Sequence, residues 1–187
     1  MTLLYLKHRN FWDKFSGIMY DKWRQNDPWK IKIPEIINRF FGFNDIFSVL
    51  DAGCGQGIYY DVLADFRNKR YVGLDFSRGM LEFCRDKHSN IVLVNGNITE
   101  ISFSDKFFDV VICFNTLMYI DKDTSRAINE LLRVVRKLLL IVVPLAEKEV
   151  VTDDCIVFKK AEFLSLFDSV IVEDLQYYQN YLLQVVK

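Results

Sequence analysis

The chain is poor in the residues that build metal centres and disulfide frameworks. Only 2 histidines occur among its 187 residues, and its 4 cysteines are scattered without a Cys-x-x-Cys pair. Zinc sites and disulfide-stapled domains both need such ligands at short, repeated spacings. The sequence therefore predicts no metal site. It also predicts that Cys84, Cys113 and Cys155, which lie among apolar residues, are buried and reduced.

Long apolar runs and an excess of one charge are missing as well. No apolar span reaches the roughly 20 residues of a membrane helix, and no signal-peptide pattern is present. The formal net charge is −1, whereas a nucleic-acid-binding domain is more often clearly basic. We therefore expect a cytoplasmic protein with no membrane segment, and nucleic acid is disfavoured as its partner.

Apolar side chains, in contrast, are abundant. Hydrophobic residues make up 51% of the chain and aromatic residues 15%, a composition that argues against disorder. A chain of this length can bury a substantial core. We expect residues 1–187 to form a single domain.

The most informative stretch runs from Val49 to Gly57 and reads Val-Leu-Asp-Ala-Gly-Cys-Gly-Gln-Gly. Its apolar start predicts a buried strand, and Ile58 to Phe66 continues with the spacing of a helix. Gly53, Gly55 and Gly57 remove side chains where the backbone must turn sharply or approach a ligand. Such a turn presents amide donors beyond the carboxyl end of the strand.

A second strand with an acidic end follows at the spacing that nucleotide sites use. Tyr71 to Leu74 is apolar, and Asp75 lies at its end, about 20 residues beyond the first motif, where a ribose-binding acid is common. An ionised carboxylate can accept hydrogen bonds from both ribose hydroxyls. The ring of Phe76 offers a face for adenine.

The glycine spacing distinguishes two classes of cofactor. A dinucleotide fingerprint needs a further glycine at the position that Ile58 occupies. The observed Gly-x-Gly-x-Gly, preceded by Asp51, resembles motif I of the class I S-adenosylmethionine-dependent methyltransferases. Asp75-Phe76-Ser77 resembles the acidic segment after the second strand of that family, and the resemblance extends from about Phe47 to Pro144.

This resemblance implies S-adenosylmethionine as the cofactor and a set of residues that would bind it. Those residues are Asp51, Gly53, Gly55, Gly57, Asp75, Phe76, Ser77, Asn97, Ile98 and Phe114. The family usually has an acidic residue at the position of Asn97, where it accepts from the adenine amino group. The side-chain oxygen of asparagine can accept the same bond without a charge.

The expected fold is α/β, with a doubly wound, seven-stranded, mostly parallel sheet, a closing antiparallel hairpin and an N-terminal helical lid. Residues 1–43 would form the lid, and residues 44–187 the Rossmann-like core. Asp121 to Lys137 has the apolar spacing of a helix on the sheet. The following strand is predicted from Leu138 to Val143 and is expected to stop at Pro144. Ser169 to Glu173 and Tyr181 to Val186 would form the hairpin.

The resemblance also implies that helices before the first strand lie over the cofactor and shape a substrate pocket. From these helices we expect Tyr20 and Trp29 to face the pocket, because aromatic faces favour cations and many substrates. Their rings could equally anchor the helices to the sheet. Asn115 and Tyr119, which leave the fourth strand at its carboxyl end, complete the predicted pocket.

The substrate-selecting positions disfavour methylation of DNA bases. Asn115-Thr116-Leu117-Met118 lacks the prolines of amino-directed DNA methyltransferases, and Cys113 lacks the preceding proline of cytosine-C5 enzymes. We therefore expect methyl transfer to a nitrogen or oxygen atom of a small-molecule acceptor. A protein or RNA methyltransferase and a non-catalytic subunit that binds S-adenosylmethionine are the alternatives. The sequence assigns no catalytic acid or base and predicts no oligomeric state.

Overall fold

The computed structural model describes residues 11–14, 32, 35–36, 39, 46–63, 70–120, 122–152, 155–175 and 180–187. Within these ranges no helix is both long enough and apolar enough to span a bilayer. The strands are β1 (Ser48–Ala52), β2 (Arg70–Asp75), β3 (Val92–Asn95), β4 (Phe108–Phe114), β5 (Val135–Ala146), β6 (Val150–Val151), β7 (Ile156–Lys159), β8 (Ile171–Asp174) and β9 (Asn180–Val186). The helices are α1 (Ile58–Val62), α2 (Arg78–Lys87), α3 (Thr124–Val134) and α4 (Lys160–Leu164), with a 3₁₀ turn at Leu117–Tyr119.

Seven of these strands follow one another in the order β3-β2-β1-β4-β5-β9-β8. Strands β1 to β5 pair in parallel, and β9 runs antiparallel to both β5 and β8. This order confirms the predicted doubly wound sheet with its closing antiparallel hairpin. Because the chain moves outward from β1 to β3 and then returns to β4, the order reverses between β1 and β4, where such sheets bind ligands.

Helices cover both faces of the sheet, which is why its central strands are continuously apolar. Every residue of β1 and β4 is buried. On one face Leu50 and Val111 pack with Leu131 of α3. On the other face Val49 packs with Tyr60 of α1. Alternate residues of each strand thus enter two separate cores.

The junction between α3 and β5 differs from the sequence prediction. The helix ends at Val134, and β5 begins at the next residue and continues through Pro144. Pro144 is tolerated because the pairing of β5 with β4 ends at Val142, and the pairing with β7 begins only at Leu145. Pro144 does pair with Asn180 of β9 on one side, but on the side of β4 and β7 no described strand residue lies opposite it, so its missing N–H costs no ladder bond on that side. The short hairpin of β6 and β7 was not predicted.

Asp109 ties the starts of three strands together at the amino edge of the sheet. Its carboxylate Oδ2 accepts from the backbone N–H of Phe47 at 2.8 Å and of Ser48 at 3.2 Å. Its Oδ1 accepts from Arg136 Nε of β5 at 2.9 Å. Burial alone would raise the pKa of Asp109, but the hydrogen bonds from Phe47 and Arg136 hold it below its ordinary value. Asp109 therefore has a structural role.

Replacing Asp109 with asparagine is expected to lower the free energy of unfolding by about 1–3 kcal/mol at pH 7, because a buried charged acceptor is lost. A carboxyl group whose pKa is lowered by folding stabilises the protein above its unfolded pKa. The difference between Asp109→Asn and the unaltered protein should therefore shrink as the pH falls below about 4. Urea unfolding at pH 7 and pH 3 measures both effects.

The control for this experiment is Asp105→Asn. Asp105 also pairs with an arginine, Arg133, but its side chain is 74% exposed. Exposed ion pairs contribute about 0–1 kcal/mol, so we expect a change of about 0.5 kcal/mol or less. Equal losses for the two variants would contradict the role given to Asp109.

Candidate functional site

The loop between β1 and α1 is a tight turn built on three glycines. Gly53, Gly55 and Gly57 have φ angles of 83°, 50° and 77°, in the left-handed region that side chains disfavour. The amides of Gly53 and Cys54 both donate to the carbonyl of Leu74 in β2, at 2.7 and 3.0 Å. The turn is thus fastened to the neighbouring strand, and these two amides are used within the protein.

Only one of the three glycines faces open space. A Cβ atom at Gly53 would lie 2.2 Å from Thr116 Oγ1, and one at Gly57 would lie 2.4 Å from Cys84 Sγ. A Cβ atom at Gly55 would meet no atom of the described residues within 4 Å. Gly53 and Gly57 therefore let neighbouring parts of the protein come close, whereas Gly55 leaves room beside the backbone for a ligand.

Asp75 lies at the end of β2 and joins this turn to the start of α2. Its Oδ2 accepts from the Gly55 amide and its Oδ1 from the Ser77 amide, each at 2.8 Å. Burial raises the pKa of Asp75 to about 6, although the bonds from Ser77 and Gly55 act in the opposite direction. The hydrogen bond from the Phe76 amide also lowers the pKa of Asp75. A carboxylate offers about four acceptor positions, so Asp75 can still accept a hydrogen bond from a ligand.

Asp51 lies one strand away and is enclosed more completely. Its Oδ2 accepts from the Tyr71 hydroxyl at 2.6 Å, and it is only 1% exposed. Burial raises the pKa of Asp51 to about 7, despite the Tyr71 hydrogen bond, and the nearby charge of Asp75 adds to the increase. The structure thus gives Asp51 a protein partner, and its predicted contact with the cofactor stays a prediction.

The carboxyl end of β4 carries a strained residue with an unused acceptor. Asn115 has a φ angle of 51°, which is uncommon for a residue other than glycine. Its Oδ1 is buried and accepts no hydrogen bond from the residues that the structure describes. Such an acceptor costs about 1–3 kcal/mol unless a ligand satisfies it. Phe114 is buried against Tyr59, with ring centroids 5.1 Å apart.

The other predicted cofactor-binding residues lie near the same, carboxyl edge of the sheet. Ser77 begins α2, and its hydroxyl accepts from the Met80 amide at 3.1 Å. Asn97 follows β3, and its Oδ1 accepts from the Thr99 amide at 3.1 Å. Ile98 is buried, whereas Phe76 is partly exposed. Each of these residues follows a strand that ends at this edge.

Two predicted pocket residues, Tyr20 and Trp29, lie outside the described residues. Tyr119 is described, and its ring packs edge-on against Trp12, with centroids 5.3 Å apart. Residues 11–14 are helical, so a described part of the predicted lid reaches the end of β4.

Sequence reasoning missed Gln56 and Asp13. Gln56 is 2% exposed, and both polar atoms of its side chain lack a partner among the described residues. Its place between Gly55 and Gly57 was a signal that could have drawn attention to it. Asp13 accepts a hydrogen bond from Ser77 Oγ at 2.6 Å. The two residues are 64 positions apart in the sequence, so no local pattern predicts this contact.

Comparison with known proteins agrees with this geometry. A family model described as a methyltransferase domain matches residues 50–142, which run from β1 into β5. The chain belongs to the class I S-adenosylmethionine-dependent methyltransferases.

Individual relatives match parts of this methyltransferase chain. An uncharacterized protein of Methanocaldococcus jannaschii is 33% identical over 141 residues, covering 66% of the chain and 59% of the relative. A demethylmenaquinone methyltransferase of Bacillus licheniformis is 31% identical over 109 residues, covering 56% of the chain and 44% of the relative. The chain thus spans less than two thirds of the length of either curated relative.

A solved structure shares the fold across the whole chain. Magnesium protoporphyrin IX methyltransferase from Synechocystis PCC 6803, crystallised with bound S-adenosylmethionine, superposes with a TM-score of 0.70. The alignment covers 100% of this chain and 98% of that protein, at 15% sequence identity. At this identity the similarity concerns the fold alone.

Gly55 and Gly53 should respond differently to replacement by alanine, because only Gly53 is packed against a neighbouring side chain. Gly55→Ala should cost about 1–2 kcal/mol of unfolding free energy, which is the cost of a left-handed φ angle with a side chain. Gly53→Ala should cost more, because its Cβ atom would also collide with Thr116. Urea unfolding of both variants measures the difference, and a smaller loss for Gly53→Ala would contradict the described packing of the two loops.

Proposed function

We propose that this protein is an S-adenosylmethionine-dependent methyltransferase whose acceptor is a nitrogen or oxygen atom of a small molecule. Family membership supports the cofactor. The residues at the carboxyl edge of the sheet support the proposed position of the cofactor, and the loop after β4 supports the proposed class of acceptor. A cytoplasmic location belongs to the same proposal.

The observation that carries this proposal is the arrangement of Gly55 and Asp75. Open space lies beside the Gly55 backbone, and the carboxylate of Asp75 is held 2.8 Å from the Gly55 amide. An adenosine ribose has two adjacent hydroxyls, and Asp75 can accept from both of them. The arrangement lies where the strand order reverses, which is the general ligand position of such sheets.

The other polar groups fit the remaining parts of the cofactor. The Gln56 side chain has a donor and an acceptor that no described residue satisfies, and these match the carboxylate and the ammonium of an amino acid. Phe76 and Asn97 would contact adenine, by the face of the ring and by the side-chain oxygen. When bound, S-adenosylmethionine supplies a methyl group attached to a sulfonium. The leaving group is a neutral thioether, so no acid is needed to protonate it.

The residues after β4 would then orient the acceptor. Asn115 Oδ1 can accept from an N–H or O–H group of an acceptor and hold the attacking atom in line with the methyl group. Holding two reactants in this way supplies much of the acceleration in a displacement that needs no leaving-group acid. No described residue is required to act as a base if the acceptor is a neutral amine.

Several features favour a small molecule over a nucleic acid base. Burial raises the pKa of Cys113 far above its ordinary value, so this thiol does not supply the thiolate that a C5 mechanism needs. Asn115 to Met118 contains no proline. The named relative is a demethylmenaquinone methyltransferase, whose acceptor is a small molecule.

Incubation with methyl-labelled S-adenosylmethionine and separate metabolite, protein and RNA fractions tests the acceptor class. The proposal expects label in the metabolite fraction. Label in protein or RNA alone would instead support the macromolecular alternative. If the protein binds the cofactor but labels none of the fractions, it would behave as a non-catalytic subunit.

Asp75→Ala should weaken the binding of S-adenosylhomocysteine by about 10- to 100-fold, because charge-assisted hydrogen bonds contribute about 1.5–3 kcal/mol. Isothermal titration calorimetry measures the change. Asp86→Ala is the matched control, since it removes an exposed carboxylate of α2 with the same change in net charge. Similar affinities for the two variants would remove Asp75 from the site.

The affinity for S-adenosylhomocysteine should also depend on pH. Ribose hydroxyls donate to the ionised carboxylate, so binding lowers the pKa of Asp75 from about 6. Binding is then strongest above pH 6 and weakens below it, by up to about tenfold per pH unit. Asp75→Asn should remove this dependence. Calorimetry between pH 5 and pH 8 checks it, and an identical slope in the variant would assign the effect to another group.

A further inference from the structure

Asp13 contacts the start of α2 from a distant part of the sequence. Its Oδ1 accepts from the Ser77 hydroxyl at 2.6 Å and from the Gly79 amide at 3.0 Å. The amides of a first helical turn lack partners within the helix, and the helix dipole favours a negative charge there. Asp13 therefore supplies an acceptor from outside the helix, in addition to the cap that Ser77 provides.

Gly79 is the position that allows this approach. A Cβ atom at residue 79 would lie 2.7 Å from the backbone oxygen of Asp13 and 3.0 Å from its Cα. Glycine costs a helix about 1 kcal/mol relative to alanine, so its presence in α2 needs a reason. The reason is that the backbone of residues 11–14 lies directly on this turn.

Ser77 links Asp13 to Asp75, the proposed ribose acceptor. Its hydroxyl donates to Asp13, and its backbone amide donates to Asp75 Oδ1 at 2.8 Å. The other oxygen of Asp75 accepts from the Gly55 amide. One series of hydrogen bonds thus runs from Asp13 to the glycine turn.

Residues 11–14 also contact the other side of the site. Trp12 packs edge-on against Tyr119, which follows β4. Residues 11–14 therefore touch the segments after β2 and after β4. These two strands are the neighbours of β1 in the sheet, so the two segments flank the glycine turn. A segment held at both places lies across the mouth of the site.

We infer that Asp13 is a positioning residue for the cofactor: it orients Ser77, and through Ser77 it orients Asp75. This inference rests on the proposed function, because it takes Asp75 to be the ribose acceptor. It goes further by coupling two events, the seating of residues 11–14 and the binding of the nucleoside. Such coupling is reciprocal, so each event stabilises the other.

The first experiment compares three variants by calorimetry with S-adenosylhomocysteine. Asp13→Ala should bind about tenfold more weakly than the unaltered protein, a typical coupling between sites. Asp13→Asn should recover most of the affinity, because its side-chain oxygen can accept the same two hydrogen bonds. Lys14→Ala is the control, since Lys14 is the exposed neighbour of Asp13 and its loss should change nothing.

The second experiment follows hydrogen exchange in a peptide that covers residues 11–14. Addition of S-adenosylhomocysteine should slow exchange in the unaltered protein and in Asp13→Asn, but not in Asp13→Ala. Gly79→Ala should speed exchange in this peptide while α2 itself exchanges no faster, because alanine favours the helix. A residue that only supported the fold would not give this ligand-dependent difference.

The outcomes separate the inference from the proposed function. If the unaltered protein binds S-adenosylhomocysteine and Asp13→Ala binds it equally well, the inference is wrong and the proposed function stands. If the unaltered protein does not bind this nucleoside, both are wrong. Should Asp13→Ala fold poorly by circular dichroism, Gly79→Ala and Asp13→Asn still decide, because the inference requires weaker binding in the first and near-normal binding in the second.

Discussion

The carboxylate of Asp75 holds the functional edge of this protein together. It is 6% exposed, and burying a charge is costly unless hydrogen bonds compensate for it. The amides of Gly55 and Ser77 provide that compensation and thereby fix the loops after β1 and β2 relative to each other. Because compensation is incomplete, burial still raises the pKa of Asp75, to about 6. The group therefore remains ready to accept further hydrogen bonds.

The third loop of the site joins this arrangement through close packing. Gly53 has no side chain, and Thr116 occupies the space that a side chain would need. The loops after β1, β2 and β4 consequently meet around one point of the sheet. Asp109 joins β1, β4 and β5 at the opposite edge, where its carboxylate accepts hydrogen bonds from Phe47 and Arg136. A sheet fixed at its amino edge can hold strained residues such as Asn115 at its carboxyl edge.

Local patterns were sufficient to predict the central sheet, the glycine turn after β1 and the place of Asp75 at the end of β2. The glycine turn and Asp75 could be predicted because an apolar strand, closely spaced glycines and an acid at a strand end are each visible within a few residues of sequence. The extent of β5 could not, since Pro144 is tolerated because the pairing with β4 has ended and the pairing with β7 has not begun on one side of the strand. The role of Asp13 is equally hidden, because its partner Ser77 lies 64 positions away. Long-range contacts of this kind depend on the assembled fold.

The central claim is that the carboxyl edge between β1, β2 and β4 binds the nucleoside of S-adenosylmethionine. The most direct test is a titration of the ¹⁵N-labelled protein with S-adenosylhomocysteine, followed by NMR of the backbone amides. If the cofactor binds at this edge, the amides of Gly55, Asp75 and Asn115 will shift strongly, and those of Arg70 and Lys106 at the amino edge will shift little. Saturable shifts confined to the amino edge, or no shifts at any concentration, would contradict it.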